Sequence, residues 1–233
     1  MLGKTRLLIV QQMVFVNMSQ VFDLACKKIP KQARAKATFA AVIQASAQLL
    51  EEDGYANLST NRIAERAGVS IGSIYEYFPG KEAIVAAVAT QLVETVLDEI
   101  HQALKQSENL EFEQALRNWI NSLYDITLQR HKLIKALMFQ VPFIHQVPAV
   151  SGIRTELFRI TLIGASKTRQ HYYFNPSQES LYLITTITGS TLLQLAMMPP
   201  PGMQVDLILD ELTRKMIQWF NELRTPYEEG INY

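Results

Sequence analysis

Between Leu58 and Lys81 the chain reads LSTNRIAERAGVSIGSIYEYFPGK, a stretch dense in hydroxyls, small residues and phenols. Serine and threonine hydroxyls can cap helices or donate to phosphate oxygens, as Thr60, Ser70 and Ser73 are placed to do. Asn61 adds an amide. Tyr75 and Tyr77 offer phenolic hydroxyls to phosphates and flat faces to thymine methyls, and Lys81 adds a positive charge. This is the chemistry of gripping a polyanion, not of breaking bonds. No bond-making set accompanies it. His101, His131, His145 and His171 are scattered without metal-ligand spacing. No HExxH, P-loop, GxGxxG or GxSxG occurs, and the single Cys26 has no evident partner. The expectation is a non-enzyme with no cofactor and no metal.

Positioning those groups requires two short helices joined tightly. Ser59 or Thr60 can cap the first, with Thr60 expected to cap and to touch phosphate. Ala64 lets a second helix cross closely, Gly68 makes the turn through a positive φ, and Val69 plugs the interior beneath it. Ser70 caps the second helix. Ile74 and Phe78 face inward with Ile63 and Ala67, which leaves Ile71, Gly72, Ser73, Tyr75, Glu76 and Tyr77 outward or flanking. Gly72 in a first helical turn costs roughly 1 kcal/mol against alanine. The cost makes sense where a phosphate or backbone comes close. A helical hairpin buried in a core, with no DNA role, is the bland alternative.

The rest of the chain reads as helix after helix, so the fold class is all-α. Helices are predicted over 31–53, 81–104, 111–129, 131–140, 149–169, 177–197 and 204–224, broken at Asp53-Gly54, Pro142, Pro148, Pro176 and Pro199-Pro200-Pro201-Gly202. Ile84, Val88, Leu92, Val96 and Ile100 mark one apolar stripe. Leu181, Ile184, Thr188, Leu192 and Leu195 mark another, and Val205, Ile208, Leu212, Met216, Trp219 and Leu223 a third. The last two helices read as an antiparallel hairpin. The division expected is 1–30 as an extension, 31–80 as the helix-turn-helix domain and 81–233 as a larger helical body, which the resemblance described below makes an effector-binding and dimerisation domain. The extension reads as an extra helix, a disordered arm or sequence upstream of the true start, with Met18 an internal candidate. No apolar run of membrane length is apparent.

The 233 residues carry 22 basic and 22 acidic side chains, a net charge of zero, but the distribution is uneven. Lys27 to Lys81 holds eight basic and five acidic residues, and Lys27, Lys28, Lys31, Arg34 and Lys36 precede any acid. Such asymmetry points to a polyanion-binding end. A lone cysteine fits a reducing cytoplasm.

Residues 36–82 resemble the DNA-binding domain of the tetracycline-repressor family. The matching text is Leu-Leu-Glu-Glu-Asp-Gly-Tyr, Leu-Ser-Thr, Arg-Ile-Ala-Glu-Arg-Ala-Gly-Val-Ser, Gly-Ser-Ile-Tyr-Glu-Tyr-Phe and Lys-Glu-Ala-Ile. The resemblance implies a three-helix helix-turn-helix domain joined by a fourth helix to a helical ligand-binding and dimerisation domain. It implies a homodimer, through residues 177–224, on a roughly palindromic double-stranded operator, most often as a repressor. It assigns Thr60 and Asn61 to the start of the second helix, Ser70, Ile71, Gly72 and Ser73 to the start of the recognition helix, and Tyr75, Tyr77 and Lys81 to backbone clamping. Ile71 departs from the polar or basic residue of many relatives and can only pack on a thymine methyl. Glu76 either accepts from a cytosine amino group or lies in solvent. A small hydrophobic or aromatic effector is implied within 82–200, with Trp119, Tyr124, Phe139, Phe143 and His145 as candidate contacts and Tyr172, Tyr173 and Phe174 behind them. A helical interaction protein with vestigial DNA binding is the competing function.

Overall fold

A computed structural model describes residues 22–166, 172–174 and 177–226. Most of the extension, residues 1–21, and His171 lie outside the described residues. Helices α1 (Ala33–Asp53), α2 (Thr60–Ala67), α3 (Ile71–Tyr77), α4 (Lys81–Ser107), α5 (Phe112–Gln129), α6 (His131–Gln140), α7 (Pro148–Ser166), α8 (Gln178–Met197) and α9 (Val205–Glu222) carry the described chain. A 3-10 turn, Ile144–Gln146, links α6 to α7. The extended pairing among the described residues is one short antiparallel ladder, β1 (Tyr172–Phe174) with β2 (Arg224–Pro226), in which Tyr173 faces Thr225.

Helix α1 buries Val42, Ile43, Ala45, Ser46, Leu49 and Leu50 along one side. The buried Ser46 hydroxyl donates to Val42 O at 2.7 Å, so it is not left unsatisfied. Gly54 ends the helix at φ +75°, with its N–H on Leu50 O. Glu52 and Asp53 stand at the C-terminal end of α1, where the helix dipole disfavours acids. Arginines of α2 compensate. Arg62 reaches Asp53 at 2.5 Å, and Arg66 grips Glu52 through both terminal nitrogens at 3.0 and 2.8 Å. The Arg66 hydrogen bond holds the Glu52 carboxyl below its usual range. The two pairs bridge α2 to α1 over the apolar packing between them.

Two apolar clusters form the interior. The first joins α1, α2, α3 and the N-terminal half of α4 with Leu133, Ala136 and Leu137 of α6 and with Val141, Phe143 and Val147 beyond it. The second joins Ile100 of α4 with α5, Ile160 of α7, α8 and α9. Helix α4, about 40 Å long by its residue count, belongs to both. Helices α8 and α9 pack chiefly on α5 and only slightly on one another. The stripe of α9 centres on Leu209, Leu212, Thr213, Met216 and Phe220. Val205, Ile208 and Trp219, expected in it, lie half-buried at its margin because the helix faces α5 rather than α8.

Candidate nucleic-acid interface

The two short helices close on themselves as the spacing requires. Ser59 is the N-cap of α2, accepting from the Arg62 N–H at 3.4 Å. Thr60, expected to cap, instead places Oγ1 3.2 Å from the Tyr75 hydroxyl of α3. The cap therefore falls one residue earlier, and the threonine hydroxyl is presented outward. Gly68 sits at φ +65°, ψ +34°, and the next N–H, of Val69, reaches back to Ala64 O at 3.0 Å. This left-handed closure satisfies carbonyls that a helix end leaves open. Ser70 caps α3 by accepting from the Ser73 N–H at 3.1 Å. Ile63, Ile74 and Phe78 are wholly buried, each burial contributing about 1.5–3 kcal/mol.

The outward face of α3 presents Ile71, Gly72, Tyr75 and Glu76, with Ser73 half-buried beside them and Asn61 exposed on α2. A methyl at Gly72 would meet only the Ser70 hydroxyl, at 3.7 Å. Nothing inside the protein therefore requires glycine there. Tyr77 corrects the sequence expectation. It is 6% exposed, with its ring edge-on to Phe39, because α3 turns this position into the first cluster. Glu76 is not free for a base, since Lys28 pairs with it and is held above its ordinary pKa by that bond. Lys81 folds back, its ammonium 4.4 Å from the Tyr55 ring centroid and donating to Leu58 O at 3.2 Å. The Tyr55 hydroxyl, 3.3 Å from Glu82, is pushed up to about 12 by burial and by that carboxylate.

Spacing gave no sign of two contacts near the site. Lys27 and Lys28 come from the extension, and only the basic run hinted at them. The Tyr55 N–H donates to Gln140 Oε1 at 2.9 Å, tying the end of α6 to the loop before α2.

The effector candidates separate. Trp119 lines a cavity of about 60 Å³ with Leu116, Leu157, Thr161, Thr188 and Phe220 among its walls. Tyr124 packs at the edge of the second cluster without lining that cavity. Phe143 is wholly buried in the first cluster, 4.8 Å from the Phe22 ring and 5.9 Å from Tyr55, so it is a joint and not a pocket wall. Phe139 is 63% exposed and His145 is exposed, because each follows the surface side of α6 and its link. Tyr172, Tyr173 and Phe174 form β1, and their side chains lie outside the described set. Thr185, Thr188 and Gly189 of α8 also line the cavity. Among the described residues no group of three His, Cys, Asp or Glu could hold a metal.

Residues 42–88 match the family model described as bacterial regulatory proteins, tetR family. The chain is 32% identical over 111 residues to the HTH-type transcriptional regulator YvdT of Bacillus subtilis, covering 48% of this chain and 55% of that one. It spans about half or less of the length of the first curated relatives it matches. A TetR-family regulator from Mesorhizobium loti superposes with a TM-score of 0.67 at 14% identity, over 83% of this chain and all of the other. The fatty acid degradation regulator FadR from Bacillus halodurans superposes at 0.59 and 19% identity, over 81% and 97%. Residues 42–88 thus carry the helix-turn-helix segment of the tetR family of bacterial regulatory proteins, and the helical body shares the fold of these solved TetR-family structures.

Proposed function

We propose that the protein is a DNA-binding transcriptional regulator, a repressor acting in the cytoplasm as a homodimer on a palindromic operator. Residues 31–80 read the DNA and 81–233 receive the signal. The observation that carries this is the exposed face where Thr60 Oγ1 and Tyr75 OH meet, 3.2 Å apart, beside a glycine no internal contact demands. Thr60, Asn61, Tyr75 and Lys81 serve phosphates, and Ser70, Ile71, Gly72 and Ser73 approach the base edges. Lys81 holds its ammonium beside the Leu58 carbonyl and keeps donors to spare for a phosphate. Fluorescence anisotropy on DNA upstream of the reading frame tests the assignment. Binding should be selective and fall steeply with salt. Gly72→Ala should raise helix stability by up to about 1 kcal/mol while weakening DNA binding. Tyr75→Ala should weaken binding about tenfold. Unchanged affinity in both variants removes this face from the interface.

The dimer rests on α8 and α9. Tyr182, Leu183 and Ile187 of α8 and Leu207 of α9 are exposed apolar side chains. Helix α8 is long and apolar enough, by length and composition alone, to cross a membrane. Yet its Ile184, Leu192 and Leu195 are already committed to the protein core, which leaves one apolar face for another helix. A second copy covering that face accounts for both facts. Leu183→Glu with Ile187→Glu should sediment as a monomer and bind operator about a hundredfold more weakly, because two linked heads hold by avidity. A stable dimer in that variant refutes the placement.

The effector site is the cavity on Trp119. No ionisable side chain lines it, so it suits an uncharged, apolar ligand, since a buried charge would stay unpaired. FadR is named for fatty acid degradation, and an alkyl chain is one such ligand. At about 60 Å³ the cavity is smaller than most ligands, so occupancy must part α5, α7, α8 and α9. That differential affinity is what moves the reading heads.

A further inference from the structure

We propose that residues Phe22–Lys28 are a strap that holds the recognition helix in place, with Phe22, Lys27 and Lys28 as its positioning residues. For its effect on DNA the proposal rests on the function proposed above; its effect on α3 does not. Helix α3 has only seven residues, too few to be stable by itself. Its C-terminal end is poorly satisfied from within. The Tyr75 carbonyl would ordinarily accept from the residue four places on, but that residue is Pro79, which has no N–H. Lys27 Nζ takes the acceptor at 3.0 Å. The Lys27 backbone N–H donates to Tyr77 O at 2.8 Å. The ammonium contact also sets a cation where the helix dipole favours one.

Lys28 completes this end. It pairs with Glu76 and lies 5.1 Å from the centroid of the Tyr77 ring. Glu76 is the acid on the outward face of α3, and unpaired it would repel phosphates. The other end of the strap is apolar. Phe22 packs its ring, tilted by 41°, against Phe143 with centroids 4.8 Å apart, and Phe143 is the joint that also meets Tyr55. The strap thus links the turn after α6 directly to the recognition helix. A plain phosphate-binding arm would need neither the Phe22 anchor nor two bonds onto α3 carbonyls.

The test uses the full chain. Without DNA, Phe22→Ala and Lys27→Ala should each speed hydrogen exchange of the Ile74–Phe78 amides roughly tenfold. On a DNA duplex selected by the wild type, Phe22→Ala should lower affinity while the slope of log K against log salt stays unchanged, because no phosphate contact is lost. Lys28→Ala should also weaken binding, and Glu76→Gln should restore it. Unchanged exchange in both strap variants overturns the proposal. So does a harmless Phe22→Ala together with a salt slope reduced by about 0.9 for each lysine removed, which would make the lysines phosphate ligands instead. If the wild type selects no duplex, the DNA function fails, and the exchange measurement still decides the strap.

Discussion

Replacing Phe143 by alanine should lower the unfolding free energy by about 3–5 kcal/mol, the cost of deleting a fully buried phenyl ring from a core that cannot collapse around it. The ring is wholly shielded, and its neighbours arrive from three places in the chain: Phe22, Tyr55 and the rest of the first cluster. No one of these can move in without abandoning its own contacts. Denaturant unfolding measures the effect directly. The same variant separates the two roles available to this residue. As a joint, Phe143 should matter for stability and for the order of α3, while an apolar ligand still binds beside Trp119. A loss below about 1 kcal/mol together with abolished ligand binding would return it to the pocket.

Gly54→Ala should be the other severe change. The residue sits at φ +75° and ψ +175°, a region that residues with a Cβ reach only at about 1–3 kcal/mol. The added methyl would also collide with Gln140 Oε1, the acceptor of the Tyr55 N–H. The two costs can be divided. Gln140→Ala alone gives up one hydrogen bond, about 0.5–1.5 kcal/mol. In the double variant the collision is relieved and the conformational strain stays, so the combined loss should fall short of the sum. Additive losses would mean that the added methyl and the Gln140 side chain do not interfere with one another. The contact matters because α6 packs with the helix-turn-helix in one apolar cluster. Any shift of α6 is therefore felt by α1 and its loop.

Much of this architecture is legible in the sequence, for reasons that are local. Gly68 and Ser70 are read correctly because a left-handed turn and an N-cap each demand a particular residue type within a few positions. Ile84, Val88 and Ile100 of α4 follow from its period. The misplacements share another cause. Tyr77 has the same phenol as Tyr75, and only the rotation of a seven-residue helix sends one inward and leaves the other outside. Phe139 and Phe143 stand four apart, yet α6 ends between them, and the turn after it reverses which side is inside. The strap contacts of Lys27 and Lys28 join residues 48 apart. No periodicity reports a contact of that range. The cavity is likewise made where four helices meet, so no single helix's pattern reports it.

On the proposed function, the face running from Thr60 to Tyr75 reads duplex DNA. The decisive experiment is selection of duplexes from a random-sequence pool by the purified, full-length protein, followed by the same selection with Tyr75→Ala. A two-fold symmetric sequence with half-sites about 34–36 Å apart, or a multiple of that, should be enriched. Affinity for this sequence should drop steeply with salt, and the variant should enrich it poorly. Enrichment of no sequence above the starting pool, or equal enrichment by the Tyr75→Ala variant, would contradict it.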